Sequence, residues 1–375
     1  MKEPGEVQNF GRRRFLQGVV VVGGLAAAGS LIAACGDDEP AAGSTPDTTP
    51  DSTPDSTPDS TPAVSTPDTT PSTEGAAGPA SGLIGLTLNG LNDYTKGVTT
   101  GVYKALEGSG YDLEVVQVNY DSAQELAAAE AFIAKGVVGL VIQPNTAESA
   151  GAAAAAAKAQ DIPTGNCIWP GPSDADQYFD GVAELDSVEG GRLIGEYLKA
   201  NATPGKIVVV QGVVGQGFSE KIDEGLDEVL AGTEFEVVVR EQAFFDRTQA
   251  VGVVETAFQA HPDISIIVAY SASMSNGIAQ WLKDQGKDAI VHVSSDADEE
   301  MITWMKTPYL VATRYYSSAQ TGLIAANAVL AKLRGETPEF RTVIAQEIAT
   351  SETIDAIVES NPFMFMEYKD LVQNI

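Results

Sequence analysis

Cysteine, histidine and basic residues are all scarce in this chain of 375 residues. It holds two cysteines and two histidines, and 22 Lys and Arg stand against 52 Asp and Glu, which gives a formal net charge of −30. A chain of this size buries enough apolar surface to fold without a disulfide, so its cysteines are not needed as cross-links. The acidic balance repels phosphate backbones and argues against nucleic acid as a partner.

The scarcity of histidine leaves few ways to build an active site. His261 precedes a proline, His292 lies in an apolar run, and neither neighbours a Ser, Cys or carboxylate pair at a catalytic spacing. The Gly-Val-Val-Gly-Gln-Gly segment at 212–217 lacks both the dinucleotide-binding spacing and the phosphate-binding lysine. No spacing typical of metal ligands occurs. We therefore expect no enzymatic activity, no metal and no cofactor, and we expect Cys167 to be a small buried apolar side chain.

The first 34 residues have the pattern of an export signal. The basic stretch Gly-Arg-Arg-Arg-Phe-Leu-Gln at 11–17 precedes the apolar run Val19–Ala34, an order typical of secretory signals. The paired arginines resemble the twin-arginine export motif, and Leu-Ile-Ala-Ala-Cys at 31–35 resembles the bacterial lipobox, which implies that Cys35 is lipidated. The alternative is a permanent membrane helix. That helix needs about 20 apolar residues, and a run of about 16 is too short.

Residues 35–80 form the predicted lipid anchor and tether. After Cys35 the chain repeats Asp-Ser-Thr-Pro, at 51–54, 55–58 and 59–62. A stretch without large apolar side chains cannot offset the entropy cost of ordering, and prolines and like charges keep it extended. We therefore expect a disordered tether that holds the globular part outside the cytoplasmic membrane, at the cell surface or in the periplasm.

Short apolar runs alternate with amphipathic stretches from Leu83 to Leu333. Strand and helix in alternation predict parallel sheets that are covered by helices on both faces. Apolar runs such as Leu83–Leu88 lack the period of two that half-exposed strands show, which favours buried parallel strands. The roughly 295 residues after the tether exceed one compact core. We expect an α/β fold of two doubly wound parallel-sheet lobes, with a ligand at the carboxyl ends of the strands.

Several motifs occur in an order that resembles a known family. They are Lys-Gly-Val-Val-Gly-Leu-Val-Ile-Gln-Pro at 135–144, Asp-Ser-Val-Glu-Gly-Gly at 186–191, Ala-Phe-Phe-Asp-Arg-Thr at 243–248 and Ser-Asp at 295–296. The segment 83–345 resembles the type I periplasmic sugar-binding proteins, closest to the ribose-binding group. The resemblance implies their fold, in which three hinge crossovers join two lobes.

This resemblance also sets the expected boundaries. The three crossovers fall near residues 184–187, 314–317 and 339–343. The N-terminal lobe then comprises 81–185 and 315–340, and the C-terminal lobe comprises 186–314 and 341–360. Residues 361–375 extend beyond the family's usual end, and we expect an added helix in the segment from about 352 onward.

The resemblance implies a sugar-type site between the lobes. Members of the family hold a sugar by paired carboxylate and guanidinium groups and by aromatic rings on its apolar faces. Four positions keep a matching residue type, and they are Asn89, Tyr94, Phe245 and Asp296. Asp296 could instead cap the helix predicted from Ala297.

Other positions depart from the family pattern. Ile168-Trp169 replaces an Asp-Arg pair, Ser271-Ala272 replaces an Asn-Asp pair, and Tyr316 replaces a glutamine. An arginine on the next lobe's helix is replaced by Glu220, with Lys221 as the alternative one residue on. Trp169 could instead be a core aromatic, and Glu220 could be a solvated acid. The candidate ligand-binding residues are Asn89, Tyr94, Trp169, Phe218, Glu220, Phe245, Ser271, Asp296 and Tyr316.

These departures change the expected ligand. A buried hydroxyl without a partner costs about 1–3 kcal/mol, so a site with fewer charged groups should take a ligand with fewer hydroxyls. The remaining acids disfavour an anion. We expect a neutral or cationic ligand with a flat apolar face, such as a deoxy or modified sugar, a cyclic polyol or a non-sugar ring compound.

The expected function is ligand capture for import. We expect a monomeric substrate-binding lipoprotein that takes up a sugar, polyol or similar small neutral molecule and delivers it to the membrane permease of an ATP-binding-cassette importer. The alternative role for the same fold is a ligand sensor that docks on a membrane receptor. A lactose-repressor-like regulator shares the lobes, but export signals stand here in place of its DNA-binding helices.

Overall fold

The computed structural model describes residues 81–373 and 375. The predicted signal peptide at 1–34 and the predicted lipidated Cys35 with its tether at 35–80 lie outside the described residues. Within the described part of the chain the strands are β1 (Gly82–Leu88), β2 (Tyr111–Gln117), β3 (Gly139–Ile142), β4 (Thr164–Trp169), β5 (Gly181–Glu184), β6 (Lys206–Gln211), β7 (Glu236–Gln242), β8 (Ile264–Ala269), β9 (Val291–Ser295), β10 (Ala312–Tyr315), β11 (Arg341–Val343) and β12 (Glu347–Thr350).

Helices follow most of these strands. They are α1 (Asp93–Leu106), α2 (Ser122–Lys135), α3 (Ala147–Lys158), α4 (Ser187–Asn201), α5 (Phe218–Leu230), α6 (Arg247–Ala260), α7 (Ala272–Asp284), α8 (Glu299–Trp304), α9 (Ser318–Leu333), α10 (Ile354–Ser360) and α11 (Lys369–Val372), with short 3₁₀ helices at Asp174–Tyr178 and Met366–Tyr368. None of the helices that the structure describes is long and apolar enough to cross a bilayer.

Two six-stranded sheets form two lobes. The N-terminal lobe has the order β11-β5-β4-β3-β1-β2, and the C-terminal lobe has the order β12-β10-β9-β8-β6-β7. The first five strands of each lobe are parallel, whereas β12 pairs antiparallel with β10. The strands in the middle of each sheet are apolar on both faces, as in Ile207–Val210, which is fully buried. Helices on both sides of the sheet provide the cover that such strands need.

Short polar side chains start the helices close to the strand ends. Asp121 accepts a hydrogen bond from the Gln124 backbone N–H at the start of α2, and Asp246 accepts one from Gln249 N–H at the start of α6. Each carboxylate satisfies an amide that has no partner within the helix. These caps hold the loops between strand and helix at the edge of the sheet where the lobes meet.

Three crossovers join the lobes, and one of them lies later than predicted. The first lies between β5 and α4, and the second lies between β10 and α9. The third lies at 344–346, because β11 pairs with β5 in the sheet of the N-terminal lobe. Our assignment of 341–343 to the C-terminal lobe is therefore corrected. Ion pairs from Arg341 to Asp176 and Glu184 hold β11 in this sheet.

After α10 the chain returns to the second crossover, and we name residues 361–372 the C-terminal strap. The carbonyl of Phe363 accepts hydrogen bonds from the Ser318 hydroxyl, at 2.6 Å, and from the Ala319 backbone N–H, at 3.1 Å. Phe363 and Met364 are buried in a cluster that includes Met301 of the C-terminal lobe. The strap thus contacts both lobes beside a hinge. The helix α10 (Ile354–Ser360) lies in the segment from about 352 onward where we expected an added helix, and the strap after it adds a 3₁₀ turn and the short α11.

Candidate functional site

The carboxyl ends of the two sheets face each other across a cleft. In each sheet the chain runs from its first strand to one side and then to the other, in the orders β2-β1-β3 and β7-β6-β8. Loops that diverge at such a switch point leave a crevice. The cleft has an empty volume of about 810 Å³, part of which is open to solvent.

Seven of the nine candidate residues line this cleft: Asn89, Tyr94, Phe218, Phe245, Ser271, Asp296 and Tyr316. Five of them, Asn89, Phe245, Ser271, Asp296 and Tyr316, come one to three residues after the end of a strand, so the topology brings them together from distant parts of the sequence. Ser271 also caps α7, where its hydroxyl accepts a hydrogen bond from Met274 N–H at 3.3 Å. Asp296 does not cap the helix that follows it, because α8 begins at Glu299 and its cap is Asp298. Its carboxylate instead accepts a hydrogen bond from Ala272 N–H at the start of α7.

Trp169 is a core residue and does not line the cleft. Its side chain is fully buried on the opposite side of the sheet, edge-to-face with Phe179 at 5.2 Å between ring centroids. The indole N–H donates to Asp176 Oδ1 at 2.7 Å. Successive residues of a strand point to opposite faces, so Ile168 takes the cleft position. Our prediction that Trp169 stacks on a ligand is therefore corrected.

Glu220 is exposed on α5 and lies outside the cleft lining. Its carboxylate accepts a hydrogen bond from the Gly215 backbone N–H at 2.6 Å, so it closes the loop that precedes the helix. The alternative residue, Lys221, reaches the other lobe, where its ammonium donates to the Pro170 carbonyl. The prediction for Glu220 is corrected, and Lys221 is a contact between lobes.

Aromatic rings from both lobes form two walls of the cleft. Tyr94 and Tyr316 pack edge-to-face with ring centroids 6.0 Å apart. Tyr120 of the N-terminal lobe and Phe245 of the C-terminal lobe lie 6.4 Å apart with ring planes at 29°. Such rings can cover the apolar faces of a flat ligand. Tyr120 was not among our candidates.

The loops that carry Tyr120 and Phe245 have a similar sequence and the same backbone conformation in the two lobes. Asn-Tyr-Asp-Ser-Ala-Gln at 119–124 and Phe-Phe-Asp-Arg-Thr-Gln at 244–249 each follow the second strand of a lobe. In both loops two successive residues have left-handed backbone angles, with φ between 51° and 59°. This conformation is costly without glycine. It turns an aromatic ring toward the opposite lobe just before the helix begins, and the repeat is the signal that would have identified Tyr120.

Several buried polar atoms at the cleft have no partner within the described residues. They include Asn89 Oδ1, Gln143 Oε1 and the Ser187 hydroxyl. Asn89 also donates through Nδ2 to the Pro144 carbonyl at 3.2 Å, which fixes the orientation of its amide. Buried polar atoms cost free energy unless they are hydrogen-bonded. A polar ligand in the cleft could form hydrogen bonds with these atoms.

The cleft also contains a buried arginine, Arg314, near the predicted Asp296, and our prediction missed this arginine. Arg314 of β10 and Asp296 lie on neighbouring strands, and the Asp296 backbone N–H donates to the Arg314 carbonyl at 2.9 Å. Both side chains line the cleft. Burial raises the pKa of Asp296 well above its ordinary value, and the nearby Arg314 opposes that shift. Arg314 could have been identified from the sequence, because an arginine is unusual inside a buried strand next to a crossover.

A second polar network positions the rim of the cleft. Glu125 of α2 is fully buried, and it accepts hydrogen bonds from the Ser149 hydroxyl and from the Asn145 backbone N–H, the latter at 3.1 Å. Burial raises the pKa of Glu125 to about 7. Asn145 Oδ1 in turn accepts a hydrogen bond from Gln216 Nε2 of the C-terminal lobe at 3.2 Å. The network therefore ends in a hydrogen bond across the cleft.

Comparison with known proteins assigns the family. The sequence profile of the periplasmic binding protein domain matches residues 84–337. The chain belongs to this family. The ribose import binding protein of Salmonella typhimurium is 27% identical over 259 residues, which cover 68% of this chain and 86% of that protein. The xylitol-binding protein of Mycolicibacterium smegmatis is 24% identical over 288 residues, which cover 74% of this chain and 79% of that protein.

Solved structures share the fold. A carbohydrate transporter solute-binding protein from Agrobacterium radiobacter, in complex with D-arabinose, has a TM-score of 0.67 and 20% identity, covering 75% of this chain and 98% of that one. A solute-binding protein from Mycobacterium smegmatis with bound glycerol has a TM-score of 0.68 and 20% identity, covering 76% and 99%. The predicted type I periplasmic binding protein fold is confirmed.

His292 and Cys167 of this periplasmic binding protein are both fully buried. His292 is buried in β9, its Nδ1 lies 2.8 Å from the Tyr309 carbonyl, and burial lowers its pKa to about 4. Cys167 is buried among apolar side chains, and burial raises its pKa. Neither residue lines the cleft. Among residues 81–373, no group of His, Cys, Asp or Glu could hold a metal ion.

Proposed function

We propose that this protein is an extracytoplasmic substrate-binding lipoprotein that captures a sugar, polyol or similar small neutral molecule between its lobes and delivers it to an ATP-binding-cassette importer. The observation that carries the proposal is the cleft itself. It combines aromatic walls, such as Tyr316 and Phe245, with buried polar atoms that have no partner among the described residues, such as Asn89 Oδ1. Rings that cover apolar faces and polar atoms that meet hydroxyls are the two requirements of polyol binding.

The relatives support this ligand class. Curated relatives bind ribose and xylitol by name, and structural neighbours carry D-arabinose, myo-inositol or glycerol. These ligands differ in ring size and in the number of hydroxyl groups, but all are neutral and rich in adjacent hydroxyls. Their shared chemistry supports a neutral polyhydroxy ligand for this chain and does not single out one compound.

Contacts across the cleft support capture by closure. Gln216 binds Asn145, Lys221 binds the Pro170 carbonyl, and the Tyr120 ring lies against Phe245. All these contacts join the two lobes at the cleft, so they form only when the lobes are together. A ligand that touches both lobes favours this arrangement over an open one.

The export pattern supports the location. The twin-arginine stretch, the apolar run and Cys35 would place a diacylated N-terminus in the membrane, and the Thr/Pro/Asp/Ser repeats would let the globular part move above it. The globular part then acts as a tethered monomer at the outer face of the cytoplasmic membrane, close to its permease. Tethering keeps the local concentration of the binding protein high near its partner.

A thermal-shift screen followed by titration calorimetry tests the proposal. The panel contains D-ribose, D-arabinose, xylitol, myo-inositol, nucleosides and aromatic amines. We expect at least one polyol to raise the melting temperature and to bind with a Kd in the micromolar range or below. Phe245→Ala should weaken that binding at least tenfold, because it removes one wall of the cleft, whereas Phe258→Ala, which lies against Trp281 outside the cleft, is the matched control. Binding of only nucleosides or amines would assign a non-sugar ring ligand and overturn the proposal.

A further inference from the structure

Arg314 lines the cleft with a positive charge that the protein itself leaves partly unpaired. Its side chain is 1% exposed. Within the described residues neither Nε nor Nη1 has a hydrogen-bond partner. Arginine stays protonated in proteins, and a buried charge without hydrogen bonds is costly. A hydrogen-bond acceptor on a bound ligand would therefore stabilise the buried guanidinium group.

The surroundings of Arg314 are shaped to hold its guanidinium group in place. A Cβ atom at Gly190 of α4 would lie 2.0 Å from Arg314 Nη1, so the glycine makes room for the group. On another side the guanidinium carbon lies 4.9 Å from the centroid of the Tyr316 ring, and a ring face attracts a cation. Arg314 is thus confined between a helix and an aromatic ring that itself lines the cleft.

Asp296 supplies an acceptor beside this donor. One carboxylate oxygen accepts a hydrogen bond from Ala272 N–H at 2.8 Å, and the other accepts none from a described residue. The left-handed backbone of Asp296, with φ of 57°, turns the chain immediately after β9. Arg314 and Asp296 both line the cleft, so one ligand can contact both side chains.

We infer that Arg314 is a specificity-determining residue that, together with Asp296, recognises two adjacent hydroxyl groups of a neutral polyol. This inference rests on the proposed function. Each hydroxyl offers one donor and two acceptor lone pairs, so one hydroxyl accepts from the guanidinium while its neighbour donates to the carboxylate. A ligand without adjacent hydroxyls leaves one of these buried groups unpaired.

The charges around the pair favour a neutral ligand over an anion. Asp93, Asp296 and Asp298 line the same cleft, and Arg314 is the only Lys or Arg among its lining residues in the described chain. A carboxylate on the ligand would gain one guanidinium and face three acids. From the sequence we expected the cleft to lack the arginine that family members use to bind a sugar. Arg314 supplies a guanidinium group, so ligands with many hydroxyl groups also fit the cleft.

Calorimetry on the full chain with arginine variants tests the inference. The probes are D-ribose, D-arabinose, xylitol and myo-inositol, with D-glucuronate as the anionic probe. We expect Arg314→Met and Arg314→Lys each to lower the affinity for the best polyol at least tenfold, because lysine keeps the charge but lacks the planar set of donors. Arg334→Lys is the matched control, since Arg334 is exposed and pairs with Glu336. Melting curves without ligand show that each variant is folded.

The outcomes separate the inference from the proposed function. Affinities of both Arg314 variants within twofold of the wild type would overturn the inference while the proposed function stands. Tighter binding of D-glucuronate than of any neutral probe would make Arg314 a carboxylate receptor and would overturn the neutral class. Failure of the wild-type protein to bind any of the four polyols would overturn the proposed function itself.

Discussion

Replacement of Glu125 by glutamine should change how the stability of the protein depends on pH. The side chain is fully buried, and burial raises its pKa from the ordinary 4.5 to about 7. The folded state therefore binds this proton more tightly than the unfolded chain does. The stability contributed by the protonated side chain is complete below about pH 4.5 and is lost as the pH rises toward 7.

The size of this effect follows from the two pKa values. Between pH 5 and pH 8, ionisation of Glu125 should lower the free energy of unfolding of the wild type by about 2–3 kcal/mol. Glutamine does not ionise, and its carbonyl oxygen can still accept the hydrogen bond from Asn145 N–H. The free energy of unfolding of Glu125→Gln should therefore rise by about 2–3 kcal/mol relative to that of the wild type over this range.

Urea unfolding of the wild type and Glu125→Gln, at intervals of half a pH unit from pH 5 to pH 8, measures this difference in the free energy of unfolding. Glu130→Gln, at an exposed position on the same helix, is the matched control and should follow the wild type. Parallel stability curves for the wild type and Glu125→Gln would refute the reasoning. Because Asn145 receives the hydrogen bond from Gln216, ligand affinity measured at the same pH values also shows whether the network affects closure.

Four further changes have defined outcomes. Cys35→Ala should move the protein from the membrane to the soluble fraction, because it removes the only acylation candidate; retention would contradict anchoring. Deletion of 361–375 should lower the unfolding free energy by about 3–6 kcal/mol in urea titrations, since Phe363 and Met364 lose their burial; an unchanged midpoint would contradict this. Gln216→Ala should weaken ligand binding about two- to tenfold by calorimetry, unlike the exposed Gln249→Ala. Trp169→Phe should lower the melting temperature, because it removes the hydrogen bond to Asp176, but it should leave ligand affinity unchanged; weaker binding would show that Trp169 contacts the ligand.

Much of the fold follows from patterns in the sequence. Continuous apolar runs such as Ile207–Val210 become buried parallel strands, and the amphipathic stretches between them become helices. The strand Thr164–Trp169 begins with small and polar residues, so it lacks such a run. The short β11 and β12 depend on pairing with distant strands, which periodicity does not reveal. Ion pairs from Arg341 to Asp176 and Glu184 stabilise β11 in the sheet of the N-terminal lobe, and these partners are too distant in sequence for a local pattern to predict.

The site was predictable where a residue follows a strand and less so elsewhere. Asn89, Phe245 and Asp296 were found because strand ends meet at the cleft in this topology. Trp169 was misplaced because one residue along a strand reverses the face to which a side chain points. Arg314 was missed because it matches no polar position of the family, and only the packing around Gly190 shows why a charge is buried there.

Small-angle X-ray scattering of the full chain tests the central claim most directly, which is that the lobes capture a polyol by closing on it. The contacts of Gln216 and Lys221 across the cleft define the closed arrangement. Hinge closure around a ligand is the motion expected of a periplasmic binding protein. We predict that a saturating concentration of the tightest polyol from the panel reduces the radius of gyration, whereas a sugar that does not bind leaves it unchanged. An identical radius with and without the bound polyol would contradict the account.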